Sequence, residues 1–123
     1  MPTTQTQLGT VLLVLDPSRR AFIRDLVVAV TATGDTTLVA ESVKEARSMF
    51  AEHSEHITTI VVDGVVDGES TLPLVDSRKG SEPFVWLTSA SVAWSQRIAE
   101  ERSGVQEIEL TELLKWFRGN RSA

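Results

Sequence analysis

Three polar residues stand where apolar runs stop. Asp16 follows "VLLVL" (11–15), Asp63 follows "ITTIVV" (57–62) and Thr88 follows "PFVWL" (83–87). Two carboxylates and a hydroxyl, each at the end of a run that asks to be buried, form a polar pocket if the chain brings them together. Each also has a plainer reading. Asp63-Gly64 reads as the start of a turn. Asp16-Pro17 reads as an N-cap followed by the first helical residue. Thr88 has the β-branched side chain that strands favour.

Other chemistry is thinly represented. The chain has no cysteine, which removes disulfides and thiolate metal sites. No G-x-S-x-G elbow, phosphate-cradling loop or dinucleotide fingerprint occurs. "DGVVDGE" lacks the alternating oxygen ligands of a calcium loop. His53 and His56, in "HSEH", match no zinc-protease spacing and read as a solvated turn at a helix end.

The 123 residues carry 41% apolar and 24% charged side chains, the proportions of an ordinary globule. A net charge of −5 and twelve scattered basic residues give no stripe that could neutralise a run of phosphates, so direct nucleic-acid binding is not expected. The apolar runs are far too short to cross a bilayer and the start has no secretory pattern. No membrane partner is expected, and the cytoplasm is the expected compartment.

The elements that must position the three residues alternate in type. "TVLLVL" (10–15) reads as a strand covered on both faces. Phe22, Ile23, Leu26, Val27 and Val30 give a helix ending before Gly34. "TTLVAE" (36–41) reads as a second strand. Ser42 and Glu45 form a capping box for a helix whose buried stripe is Val43, Ala46, Met49 and Phe50. "ITTIVVD" (57–63) is the third strand, "GVVDGE" a loop, and "STLPLVDSR" (70–78) a short helix with Pro73 in its first turn. "PFVWLT" (83–88), a polar helix over 89–102, a thin strand "VQEIEL" (105–110) and a closing helix over 111–118 complete the chain. This predicts one domain over 10–118, with looser ends at 1–9 and 119–123. Strands alternating with helices imply a parallel sheet covered on both faces. Such sheets bind ligands beyond the carboxyl ends of their strands. In the strand order 2-1-3-4-5 the strands ending in Asp16, Asp63 and Thr88 are neighbours.

Over about 10 to 118 the chain resembles the receiver domain of two-component response regulators. "VLLVLDPSRR" is similar to the first strand of that family, which ends in paired acids. "IVVDGVVDG" resembles the strand carrying its phosphoacceptor, and "FVWLTSA" the strand ending in a hydroxyl residue. The resemblance implies a flavodoxin-like (βα)5 three-layer sandwich with a five-stranded parallel sheet. It implies Asp63 as phosphoacceptor, Thr88 as the hydroxyl that bonds the phosphoryl group, and Mg²⁺ held weakly by Asp16, Asp63 and the backbone carbonyl of Val65. The partners it implies are a histidine kinase or phosphotransfer protein and a downstream protein or second copy. The only chemistry it implies is gain and loss of a phosphoryl group at Asp63, not metabolic turnover.

Two positions depart from the family pattern. Leu15 stands where the first acid of the pair belongs. "EIELTE" replaces the Lys-Pro after the fifth strand, and Lys115 lies too far along. Arg19 or Arg20 is the nearest replacement cation. Two functional readings follow: an atypical phosphorelay receiver, or a phosphorylation-independent pseudo-receiver that docks or dimerises. An unrelated flavodoxin-like ligand binder is a third, disfavoured by the absence of phosphate-cradling glycines. Trp94 and Trp116 fall on the two helices flanking the fifth strand. They read either as partner-binding residues of the face made by the fourth helix, fifth strand and fifth helix, or as cover for the thin strand itself.

Overall fold

Strand β1 (Thr10–Val14) is buried at every residue, and its two neighbours explain why. It pairs in parallel with β2 (Thr36–Ala40) on one side and β3 (Ile57–Asp63) on the other. The computed structural model describes residues 9–80, 82–89 and 91–120. Residues 1–8 and 121–123 of the expected loose ends lie outside them. Gly9, by contrast, donates its N–H to Asp35 Oδ1, and Gly119 and Asn120 belong to the last helix.

The further elements are α1 (Arg20–Ala32), α2 (Val43–His53), a hairpin of β4 (Val65–Val66) and β5 (Glu69–Ser70), α3 (Leu72–Asp76), β6 (Phe84–Thr88), α4 (Val92–Glu100), β7 (Val105–Glu107) and α5 (Leu110–Asn120). The main sheet runs β2-β1-β3-β6-β7 with all pairs parallel. Setting the hairpin aside, this is the 2-1-3-4-5 order expected of a flavodoxin-like sandwich.

Alternation along the strands builds two cores. Val11, Leu13, Leu15, Val61 and Trp86 face α1 and α5, meeting Leu26, Val30, Leu113 and Phe117. Leu12, Val14, Ile60, Val62, Val85 and Leu87 face the other way, with Ala46 of α2, Leu74 and Val75 of α3 and Ile98 of α4. Each fully buried leucine contributes on the order of 2 kcal/mol, so both faces hold the sheet in place.

Differences from the sequence reading are local. The loop "GVVDGE" is a hairpin: Val65 pairs with Ser70 and Val66 with Glu69. Asp67 and Gly68 both take positive φ, 51° and 80°, as a two-residue primed turn requires. The fifth strand of the sheet, β7, stops at Glu107, and α5 begins at Leu110. The Ser42 hydroxyl accepts from the Glu45 N–H at 3.0 Å as expected, while the Glu45 carboxylate accepts from Glu41 rather than Ser42, at 2.8 Å. His53 ends α2, and His56 is exposed beyond it.

Candidate functional site

Register brings the site together. Val14 is the Cα partner of Val62, and Asp63 is the partner of Thr88, so β1, β3 and β6 end side by side. The Gly64 N–H donates to the Thr88 carbonyl at 2.8 Å and ties β3 to β6 just past their ends. A cleft of about 380 Å³ opens there, lined by Asp16, Arg19, Asp63, Val65, Ser89 and Trp94 among others. Asp16, Asp63 and Val65 line this cleft, and Thr88, buried, reaches Asp63 from the neighbouring strand.

Asp63 is 3% exposed. A carboxylate so deeply buried needs partners for its oxygens. The protein supplies the partners itself. Oδ2 accepts the backbone N–H of Asp16 at 2.8 Å and lies 3.3 Å from Arg19 Nε. Oδ1 accepts the hydroxyl of Thr88. Arg19, not Arg20, is the cation beside Asp63, and it ends the 3₁₀ turn Pro17–Arg19.

Asp16 makes the expected cap, but of that short turn rather than of α1. Its Oδ2 accepts from the Ser18 N–H at 3.1 Å and from the Ser18 hydroxyl. Its Oδ1 accepts from the Asp67 N–H at 2.9 Å. The Ser18 hydroxyl above all, then the Asp67 and Ser18 amides, hold the Asp16 carboxyl below the ordinary carboxylate range. It is the Asp16 N–H, not its carboxylate, that reaches Asp63.

Two supporting residues escape sequence reasoning. Thr71 is fully buried, and its hydroxyl donates to the Asp63 carbonyl at 2.6 Å, which fixes the backbone carrying the carboxylate. Read as one residue of a helix, Thr71 gave no signal beyond standing just before Leu72-Pro73. Ser95 is 1% exposed and donates to Ser89 Oγ at 2.7 Å, while Ser89 donates to the Ser91 carbonyl at 2.8 Å. This hydroxyl chain sets the loop between β6 and α4.

The two tryptophans separate. Trp94, half-buried on α4, lies over Gly64 and lines the cleft. Trp116 is 43% exposed and stacks edge-on against Trp86, with ring centroids 5.5 Å apart. Trp86 shares its side of β6 with Phe84, 5.0 Å away, as strand parity requires.

As arranged, these residues do not fit Mg²⁺. The ion favours octahedral oxygen coordination, but Leu15 is fully buried in the apolar core where a further acid would stand. Among the described residues no group of three His, Cys, Asp or Glu is placed to hold a metal. The Arg19 guanidinium already pairs with Asp63. A divalent ion about 4 Å from it would meet repulsion on the order of 8 kcal/mol at an effective dielectric constant of about 20.

No family model matches the sequence, and no curated protein is similar to it by sequence. Solved structures are similar in three dimensions. A response regulator receiver domain protein from Clostridium thermocellum superposes with a TM-score of 0.69 at 14% identity, over 94% of this chain and 98% of that one. The N-terminal receiver domain of NtrC gives 0.61 at 20% identity, over 95% and 97%. The lysine decarboxylase LdcF of Francisella novicida gives 0.61 at 13% identity, over 98% of this chain but only 18% of that one. Strand order, layer arrangement and these superpositions agree: the chain has the fold of response-regulator receiver domains.

Proposed function

We propose that this domain is a receiver-fold signalling module that docks a protein partner or a second copy while its Asp63 pocket stays satisfied by its own side chains. The observation that carries this reading is the complete set of internal partners on Asp63: the Arg19 guanidinium, the Asp16 N–H and the Thr88 hydroxyl. A receiver that waits for a metal and a phosphoryl group needs that carboxylate available. Here it is already neutralised, with Leu15 in the place of a further acid. The occurrence of the same fold within a lysine decarboxylase supports separating the fold from phosphotransfer. Trp116, exposed on α5, is the side chain best suited to anchor a partner.

A second reading rests on register: Asp63 and Thr88 are Cα partners at the ends of adjacent strands, where a hydroxyl can reach a group carried by the carboxylate. In it, a carboxylate oxygen of Asp63 attacks the phosphorus of a phosphohistidine and the imidazole leaves. Arg19, released from Oδ2, and the Thr88 hydroxyl then hold the phosphoryl oxygens. The partner would be a histidine kinase or phosphotransfer protein.

Intact mass after incubation with acetyl phosphate and Mg²⁺ separates the two. The docking reading expects no phosphoryl adduct, and partner binding unchanged by Asp63→Asn. A stable adduct that disappears in Asp63→Asn would establish the second reading instead.

A further inference from the structure

We infer that the groove under the amino ends of the strands, at the opposite rim from Asp63, docks an extended segment of a partner protein bearing lysine or arginine side chains. The inference deepens the docking reading and rests on it in taking a protein as the partner.

Geometry sets the shape. Two hollows, of about 490 Å³ and about 630 Å³, share Glu55 and Thr58 in their linings. Thr36, Thr10, Thr58, Phe84 and Gly104 line one or both, and they stand at or beside the amino ends of β2, β1, β3, β6 and β7. Neighbouring strands lie about 4.8 Å apart, so four steps give about 19 Å, the length of about six extended residues.

Charge sets the partner. Glu55 and Glu82 are exposed in these linings, and neither makes an ion pair among the described residues. No Lys or Arg among the described residues lines either hollow. Helix α2 ends at His53, in the wall of the first hollow, and the carboxyl end of a helix favours cations. Arg78 donates to the Pro83 and Gly104 carbonyls at 3.0 and 3.4 Å, but it lines a separate hollow with Asp76 and Arg102. The net charge of −5 adds attraction of the same sign at longer range.

Thr10 is an independent sign that the groove takes a ligand. It is 8% exposed and lines the first hollow. Among the described residues every sealed side-chain nitrogen or oxygen has a hydrogen-bond partner, whereas the Thr10 hydroxyl bonds to none of them. Its oxygen therefore opens into the hollow as an acceptor for an ammonium or guanidinium N–H. Pro83 and Phe84 give the second hollow an apolar wall, against which the methylene stem of a basic side chain packs.

The test is titration of the ¹⁵N-labelled whole chain with hexalysine peptide, following backbone amide shifts. The expected shifts fall at Thr10, Thr36, Thr58 and Phe84, saturate below about 5 mM peptide at low ionic strength, and shrink as salt is added. Glu55→Gln combined with Glu82→Gln should weaken binding at least about fivefold, while Glu112→Gln on α5 should leave it unchanged. Thr10→Val keeps the shape, removes the acceptor and should weaken binding about two- to fivefold. Circular dichroism checks folding, and the exposed glutamates keep the test decisive if Thr10→Val does not fold. No shifts at that concentration, or shifts centred elsewhere, would overturn the inference. So would folded Gln or Val variants that bind as tightly as the parent, or hexaglutamate moving the same amides equally. Shifts in the groove on concentrating the protein alone would assign it to a second copy and overturn the inference as well. The mass measurement stays separate. An adduct on the parent defeats the docking reading whatever the peptide does, whereas a silent peptide titration without an adduct removes this groove and leaves that reading standing.

Discussion

The ring of Trp94 rests against the backbone of Gly64, so closely that a β-carbon built on Gly64 would stand 2.7 Å from Trp94 Cζ3 and 3.0 Å from Cη2. Gly64 does not need its freedom for a turn here. It needs the absence of a side chain, because an indole occupies that space beside Asp63. Gly64→Ala is therefore expected to push the Trp94 ring toward solvent. The emission maximum should shift to the red, and stability should fall by about 1–3 kcal/mol in urea unfolding. An unshifted maximum would mean that the ring is not seated there.

Thr71 is the second position where a small change should matter. Its buried hydroxyl donates to the Asp63 carbonyl at 2.6 Å and lies 3.2 Å from the Gly64 carbonyl. Thr71→Val keeps the shape and removes the donor, at an expected cost of about 1–3 kcal/mol. Thr71→Ser keeps the hydroxyl and should lose distinctly less. Equal losses in the two variants would assign the effect to packing rather than to the hydrogen bond.

A pH dependence follows from the pair joining α3 to the end of α4. Arg102 Nε lies 2.7 Å from Asp76 Oδ1, and a terminal nitrogen lies 3.1 Å from Oδ2. The hydrogen bond from Arg102 holds the Asp76 carboxyl below the ordinary carboxylate range. The pair's contribution is complete above the unfolded value of about 3.9 and is lost as pH falls through the lower, folded value. The Asp76 side chain is 51% exposed, so solvent screening limits the contribution to about 0.2–1 kcal/mol. Asp76→Asn should be less stable than the parent by that amount at pH 7, with the gap closing below about pH 4. Urea titrations at the two pH values check it.

The three tryptophans should respond differently to an aqueous quencher. Trp116 is 43% exposed, Trp86 is 7% exposed, and Trp94 is half-buried. Iodide should therefore quench mainly Trp116, and Trp116→Phe should remove most of the quenchable emission. If Trp116 anchors a partner, its replacement by Ala should weaken that complex by at least about 2 kcal/mol, read by calorimetry against the same variant's folding stability.

Long-period features of this fold are legible because one physical cause dominates each. Residues 11 to 15 are apolar at every position because helices cover both faces of β1, and burial on both sides leaves no alternation to misread. The placement of Asp16, Asp63 and Thr88 at one rim follows from strand order alone. The hairpin over 65–70 was readable in principle: Asp67-Gly68 between paired residues is a primed-turn signal, but two-residue strands carry too little pattern to stand out. The roles of single atoms were not readable. Asp16 meets Asp63 through its amide while its carboxylate caps a turn, and composition does not distinguish those orientations. Arg19 rather than Arg20 stands beside Asp63, Arg19 ending the 3₁₀ turn and Arg20 opening α1, a boundary that sequence pattern does not mark. Trp94 and Trp116 occupy similar places in sequence, and only helix phase turns one over Gly64 and the other toward solvent.

The bond from the Asp67 amide to the Asp16 carboxylate works as a tie rod across the mouth of the cleft. The hairpin tip around it is solvent-facing, whereas Asp63 is out of reach. Yet the tip connects to Asp16, and Asp16 to Asp63, by one hydrogen bond each. The exposed hairpin and the buried carboxylate are thus joined twice, along the chain through Gly64 and across the cleft through Asp16.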